Sequence, residues 1–272
     1  MNIANFRKAL GTPKTLIGMV HIGALPGTPR ASLSLSALAE QAAKEARTLA
    51  ECGFDAILIE NMHDAPYVQG PHGPEITSAM TACALAVRSA IGKLPLGVQI
   101  LATGNREALA VALASGAQFI RCENFVFAHV ADEGLMPRAE AGELLRYRRA
   151  IGADHIAILT DIQKKHAAHA ITADIDIGEL AHGAEFFGSD GLIVTGAHTG
   201  DETASDDLEA VRHASKLPII VGSGTTRENI GAMFQHADAV IVGSSIKRDG
   251  HWTQPVDRAR AKALVAAARK HR

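Results

Sequence analysis

Short apolar runs alternate with longer amphipathic stretches along the whole chain. The runs fall at residues 16–21, 56–61, 96–101, 119–125, 156–163, 191–196, 218–224 and 239–245. Their near-continuous apolar cores predict parallel strands buried on both faces. Between them lie patterns such as "SALAEQAAKEARTLAECG", "EITSAMTACALAVRSAIG" and "REALAVALASGA", whose apolar residues recur at threes and fours. These predict helices, and Gly53, Gly92 and Gly116 stand where a helix C-cap belongs. A last helix is predicted over residues 255–270, with Pro255 near its first turn. Eight strands, each followed by a helix, is the number that closes a barrel. The fold class predicted is therefore α/β: a single (β/α)8 TIM barrel over residues 1–272. A doubly wound open sheet is the alternative, but no Gly-x-Gly-x-x-Gly follows the first strand. No linker, low-complexity stretch or charge block divides the chain.

Composition narrows the function classes. The 272 residues are 47% hydrophobic and 21% charged, with 25 glycines and only 4% aromatics. Small apolar side chains dominate, as in tightly packed helix-on-sheet layers. A net charge of −2 provides no basic field for nucleic acid, so any anion must be held by local geometry. Cys52, Cys83 and Cys122 form no Cys-x-x-Cys or zinc-ribbon spacing and read as buried reduced thiols of an intracellular protein. The opening "MNIANFRKALGTPK" lacks the apolar region of a signal peptide, and no run approaches the ~20 apolar residues of a membrane span. The expectation is a cytoplasmic protein without membrane insertion. Its Ala-rich helix faces leave room for a homo-oligomer.

A barrel also locates the chemistry, because its active site lies at the C-terminal strand ends. Those ends carry His21; Glu60, Asn61 and Asp64; Arg121, Glu123 and Asn124; Asp161, Gln163 and Lys165; and Thr195, His198 and Thr199. Interior layers need apolar filler, so an acid closing the run "AILI" points to function or to a polar bond within the mouth. In the functional reading, Glu60 or Asp161 exchanges a proton with substrate, while His21 and Asn61 orient it. Lys165 then stabilises developing negative charge or forms a Schiff base. In the structural reading, Asp161 and Lys165 share a face at a period of two and neutralise each other. The chain has 13 histidines, yet no His-Glu-x-x-His, and no tightly bound metal is assigned. Mg²⁺ held through Glu60, Asp64 or Asp161 together with substrate oxygens stays open.

The seventh and eighth strands end in "VGSGTT" and "VGSSIK". Glycine lets a backbone approach a ligand and expose consecutive N–H groups. The loops after strands seven and eight form the phosphate site in many such barrels. Gly222, Ser223, Gly224, Gly243 and Ser244 are therefore the predicted phosphate grip, with Thr225 or Thr226 capping the next helix and Lys247 able to add charge. The competing reading is a pair of tight turns with no ligand. No Walker motif is present.

These pieces, with "VHIGALPGTP", "ILIENMHDAP", "FIRCENF", "LIVTGAHTG" and "ADAVIVGSSIKRDGHWTQPVDRAR", resemble the BtpA/SgcQ family of TIM-barrel proteins in order over nearly the whole chain. At the third strand "VQILATGNREALAVA" departs from that family's pattern: Thr103, Gly104 and Asn105 stand where an acid is expected, and no catalytic role is carried there. The resemblance implies a barrel with a phosphate-type site. The BtpA name implies photosystem I biogenesis in cyanobacteria, and SgcQ-like members go with sugar-utilisation genes and a nucleoside triphosphatase label. The expected function is an enzyme on a small phosphorylated metabolite, a sugar or nucleoside phosphate, with isomerase- or lyase-type acid–base chemistry. The alternatives are a non-catalytic biogenesis or regulatory factor, or a metal-dependent phosphate-ester or nucleotide hydrolase.

Overall fold

The computed structural model describes residues 3–11, 14–164, 166–196 and 203–272. Eight strands close into a barrel: β1 (Thr15–His21), β2 (Ala56–Glu60), β3 (Leu96–Gln99), β4 (Phe119–Cys122), β5 (Ala157–Asp161), β6 (Gly191–Val194), β7 (Ile219–Val221) and β8 (Ala239–Val242). Each pairs in parallel with its neighbours in sequence, and β8 returns to β1. The predicted (β/α)8 class is the observed one.

Side chains alternate across each strand, and the burial clusters divide accordingly. Ile17, Met19, Ala56, Leu58, Phe119, Ala157, Leu159, Ile193, Ile220, Ala239 and Ile241 fill the interior as one cluster. Leu16, Val20, Ile57, Ile59, Val98, Ile120 and Ile158 face the helical ring. Phe119 fits because Gly97 lies opposite; a Cβ there would collide with its ring.

The ring is built from α2 (Leu35–Cys52), α3 (Pro74–Ile91), α4 (Asn105–Ser115), α5 (Ala141–Ala150), α6 (Ile177–Phe186), α7 (Ser205–Ala214), α8 (Ile230–His236) and α9 (Arg258–Ala268), after an N-terminal α1 (Ile3–Leu10). Ser34 caps α2, accepting from Ala37 N, and Gly53 ends it in the left-handed region at φ 99°. The last helix begins three residues later than its Pro suggests. Asp257 accepts from the amides of Ala259 and Arg260 and sets the start, while the Pro255 carbonyl accepts from Arg248 N.

Two features were not anticipated. First, α1 contributes Phe6, Ala9 and Leu10 to the interior cluster. It sits at the base of the barrel, where Asn5 donates to Asp190 and to the Asp154 carbonyl, both just ahead of strands. Second, the loops after β4 and β5 form a small antiparallel sheet from His129–Ala131, Gly134–Met136 and Ala167–Ala168. Each strand has only two or three residues, too few for a periodic signal. Among the described residues, no helix is long and apolar enough to cross a membrane.

Candidate active site

Continuing the inward alternation by one step past the apolar filler reaches the polar ring of the mouth. On β1 the inward series Ile17, Met19 ends at His21; on β2, Ala56, Leu58 ends at Glu60. On β4 it runs from Phe119 to Arg121, and on β5 from Ala157 through Leu159 to Asp161. Past β7 and β8 the same positions are Gly222 and Gly243. His21 and Glu60 are register partners, and Glu60 is in turn opposite Gln99. The strands thus bring these groups together without any loop having to fold correctly.

A cavity of about 260 Å³ opens at this level, lined by His21, Glu60, Arg121 and both glycine turns, with Arg260 at its edge. Arg121 is buried and grips Asp161 with two bonds, Nε to Oδ2 at 2.7 Å and Nη2 to Oδ1 at 2.9 Å. Burial alone would lower its pKa. The Asp161 carboxylate outweighs burial, helped by Glu60 and Glu123, and holds the guanidinium charged above its ordinary range. His21 Nδ1 lies 3.1 Å from the Trp252 carbonyl. A carbonyl can only accept, so Nδ1 carries the proton and Nε2 faces Gly243.

The glycine turns are shaped for an anion. Gly222 has no room for a side chain: a Cβ would stand 2.5 Å from Ile193 Cγ2 and 2.8 Å from Thr195 Cγ2. Gly224 takes φ 71° and turns the chain back. After Gly243 a 3-10 turn runs over Ser244–Ile246, and the amides of Ser244 and Ser245 at its start have no partner within the turn. The two turns are tied together by Ser245 Oγ, which donates to the Thr225 carbonyl at 2.7 Å. Thr225 lines the cavity, is buried, and its hydroxyl has no hydrogen-bond partner among the described residues. Arg260, from the first turn of α9, donates through Nε to the Ser245 carbonyl at 3.0 Å.

Not every candidate from the sequence reaches this cavity. Asn61 follows the inward Glu60 and turns the other way. Its Nδ2 donates to Asp64 Oδ2 at 2.7 Å and its Oδ1 accepts from Leu101 N at 2.8 Å, so it braces a loop. Asp64 also accepts from Leu25 N, and burial raises its pKa despite these bonds. Asp161 meets Arg121. Lys165, like His198 and Thr199, lies outside the described residues. The adjoining Lys164 points to Glu133 and Glu123, at 3.3 and 3.6 Å. Lys247 turns away from the glycine turns and is buried against Glu45 at 2.6 Å. Thr226 does not start the helix directly. Its hydroxyl accepts from the amides of Glu228 and Asn229, forming a turn that delays α8 to Ile230.

Sequence reasoning named Arg121 as a rim residue but gave it no role, and it did not consider Arg260, which sits in a helix far along the chain. Of the three carboxylates suggested for Mg²⁺, Asp64 is bonded to Asn61 and Leu25, Asp161 is bonded to Arg121, and Glu60 lines the cavity. Among the described residues no group of three or more His, Cys, Asp or Glu side chains is arranged to hold a metal ion.

The fold and its mouth define a (β/α)8 barrel with its polar site at the C-terminal strand ends. A model of the BtpA family matches residues 12–270, and the chain belongs to that family. It is 45% identical over 258 residues to an uncharacterised protein of Caenorhabditis elegans with a mitochondrial designation, covering 93% of this chain and 92% of the other. It is 37% identical to the photosystem I biogenesis protein BtpA of Synechocystis, covering 94% of this chain and 88% of that one. Among solved structures, thiamine phosphate pyrophosphorylase from Pyrococcus furiosus superposes with a TM-score of 0.58 at 14% identity, covering 98% of both chains. That likeness is one of fold.

Proposed function

We propose that this protein is an enzyme acting on a small phosphorylated metabolite, a sugar or nucleoside phosphate, through isomerase- or lyase-type acid–base chemistry. The observation that carries the reading is the Thr225 hydroxyl. Among the described residues it is buried without a partner, in a cavity whose walls also offer helix-start amides and two guanidinium groups. A buried polar atom of this kind costs free energy unless something bonds to it, and a phosphate oxygen fits. The amides of Gly224, Ser244 and Ser245 would hold the other oxygens, with Arg260 supplying charge from the edge.

The reacting end of the substrate then lies over the barrel axis between Glu60 and Arg121. Glu60 takes a proton from a carbon or hydroxyl of the substrate. Arg121, kept positive by Asp161, stabilises the oxyanion that develops. His21 orients the substrate through its Nε2 side. The cyanobacterial relative's name favours a second reading, an assembly factor that uses the barrel only to bind. The convergence of a carboxylate and a paired guanidinium on one cavity supports the enzyme instead.

Titration with inorganic phosphate tests the grip. Thr225→Val, which keeps the shape and removes the hydroxyl, is expected to weaken phosphate binding about ten- to a hundredfold, the worth of one hydrogen bond to a charged group. Crystals soaked in phosphate are expected to show the anion on Thr225 Oγ1 and the Ser244 amide. An anion that binds elsewhere, with Thr225→Val unchanged, would sink the reading.

A further inference from the structure

A second cavity, of about 450 Å³, adjoins the first, and His21 lines both. Its walls include Trp252, His63, Gln41, Lys44 and Gln254. Trp252 is the chain's only tryptophan, and it stands half-buried here rather than in the core. Its indole gathers three imidazoles. His63 lies tilted at 5.0 Å between centroids, His21 edge-on at 6.1 Å, and His251 stacked at 6.2 Å. In a protein with 4% aromatic residues, such a concentration beside a catalytic mouth calls for a ligand.

The platform is held rigidly. Lys247 and Val256 bridge the two ends of the loop that carries Trp252. Glu45 of α2 clamps the same two residues, accepting from Lys247 Nζ at 2.6 Å and from Val256 N at 2.9 Å. A surface fixed before binding loses little entropy when a ligand arrives. Burial, and then the nearby Lys247 charge, lower the His63 pKa, so that ring is uncharged at neutral pH. Flat, neutral aromatic faces with amide and ammonium groups at the edges suit a planar ring that forms hydrogen bonds along its rim.

We propose that this second cavity binds the base of a nucleoside monophosphate whose phosphate occupies the glycine turns. The inference rests on the phosphate reading above and narrows its substrate class. The two cavities share the His21 imidazole as a wall. That ring packs against Gly243 on one side, 3.4 Å from where a Cβ would stand, and against Trp252 on the other. A ribose bridges such a gap; a simple sugar phosphate fills the first cavity and leaves the second empty.

The single tryptophan gives a direct readout. Quenching of its fluorescence would be titrated with AMP, GMP, CMP and UMP, and binding compared with ribose 5-phosphate, free nucleosides and inorganic phosphate. At least one nucleotide is expected to quench and to bind tenfold or more tightly than ribose 5-phosphate. Trp252→Ala, followed by calorimetry, is expected to weaken that nucleotide about ten- to hundredfold, in line with base stacking. Ribose 5-phosphate affinity should stay within about twofold, and Trp252→Phe should keep most of the nucleotide affinity. If ribose 5-phosphate binds as tightly as every nucleotide, or Trp252→Ala weakens both alike, the base site is refuted while the phosphate reading stands. If nucleosides quench but no phosphate-bearing compound gains from its phosphate, the phosphate reading fails and the aromatic site survives. Binding by none of them overturns both.

Discussion

Glu60 and Asp161 both close apolar strands and read alike in sequence, yet their partners divide their roles. Asp161 has both oxygens on Arg121, whereas Glu60 lines the cavity. Glu60→Gln is therefore expected to lower kcat about 10²- to 10⁴-fold, the usual worth of a general acid or base, while phosphate affinity holds. Asp161→Asn should instead act on stability, because it takes away the charge of the carboxylate bonded to a buried guanidinium. A loss of about 3–5 kcal/mol in urea unfolding is expected. Equal and mild effects of the two substitutions would remove the distinction. Glu60 was legible in the sequence because an acid at the end of "AILI" contradicts interior packing. Asn61 was misleading for a reason the sequence also holds: with a period of two, the neighbour of an inward residue must face outward. Arg121 was visible at its strand end, but which acid it would meet depends on the register between β4 and β5, which no local pattern encodes.

At the scale of elements, the two glycine turns look equivalent in sequence and differ in space. A Cβ at Gly222 would overlap Ile193 and Thr195, while one at Gly243 would lie 3.4 Å or more from its neighbours. Gly222→Ala is expected to cost about 1–3 kcal/mol by overpacking, and Gly243→Ala less than about 1 kcal/mol. Both add a methyl beside the anion, so both should weaken phosphate binding; unfolding curves and calorimetry on the same samples separate the effects. The small sheet over the mouth adds a pH dependence. Burial first, then Lys164 and His169, push the pKa of His129 down to about 4. The unfolded chain binds this proton near pH 6.5 and the folded chain does not, so stability present above pH 6.5 is lost as pH falls towards 4. At pH 5.5 the loss is about 1.4 kcal/mol from this residue. His129→Asn should flatten the stability profile between pH 7.5 and 5.5 by that amount; an unchanged slope would rule His129 out as its source. The strands of this sheet were illegible because they are too short to show alternation and pair only through the loops that carry them.

At the scale of the whole molecule, the eight-unit repeat was legible because short apolar runs alternate with longer segments whose apolar residues recur at threes and fours. The base of the barrel was not, since nothing in "IANFRKAL" says which end of a distant sheet it will cover. Phe6 enters the interior cluster alongside Ile17, Leu159 and Ile193, and lies 3.4 Å from where a Cβ on Gly191 would be. It thus closes the layer farthest from the polar mouth. A barrel whose upper layer is polar must take its apolar stability from below, so α1 should matter to folding far more than its eight residues suggest. Phe6→Ala removes a buried aromatic ring and leaves a cavity that the closed sheet cannot collapse to fill. A loss of about 3–5 kcal/mol is expected in equilibrium unfolding. Because the strands hold the mouth in register independently of what fills the base, phosphate affinity of the folded variant should match that of the parent. A variant that unfolds no more easily would show that α1 does not seal the barrel. One that folds but loses phosphate affinity would show that the two ends are coupled through the interior layers rather than stabilised separately.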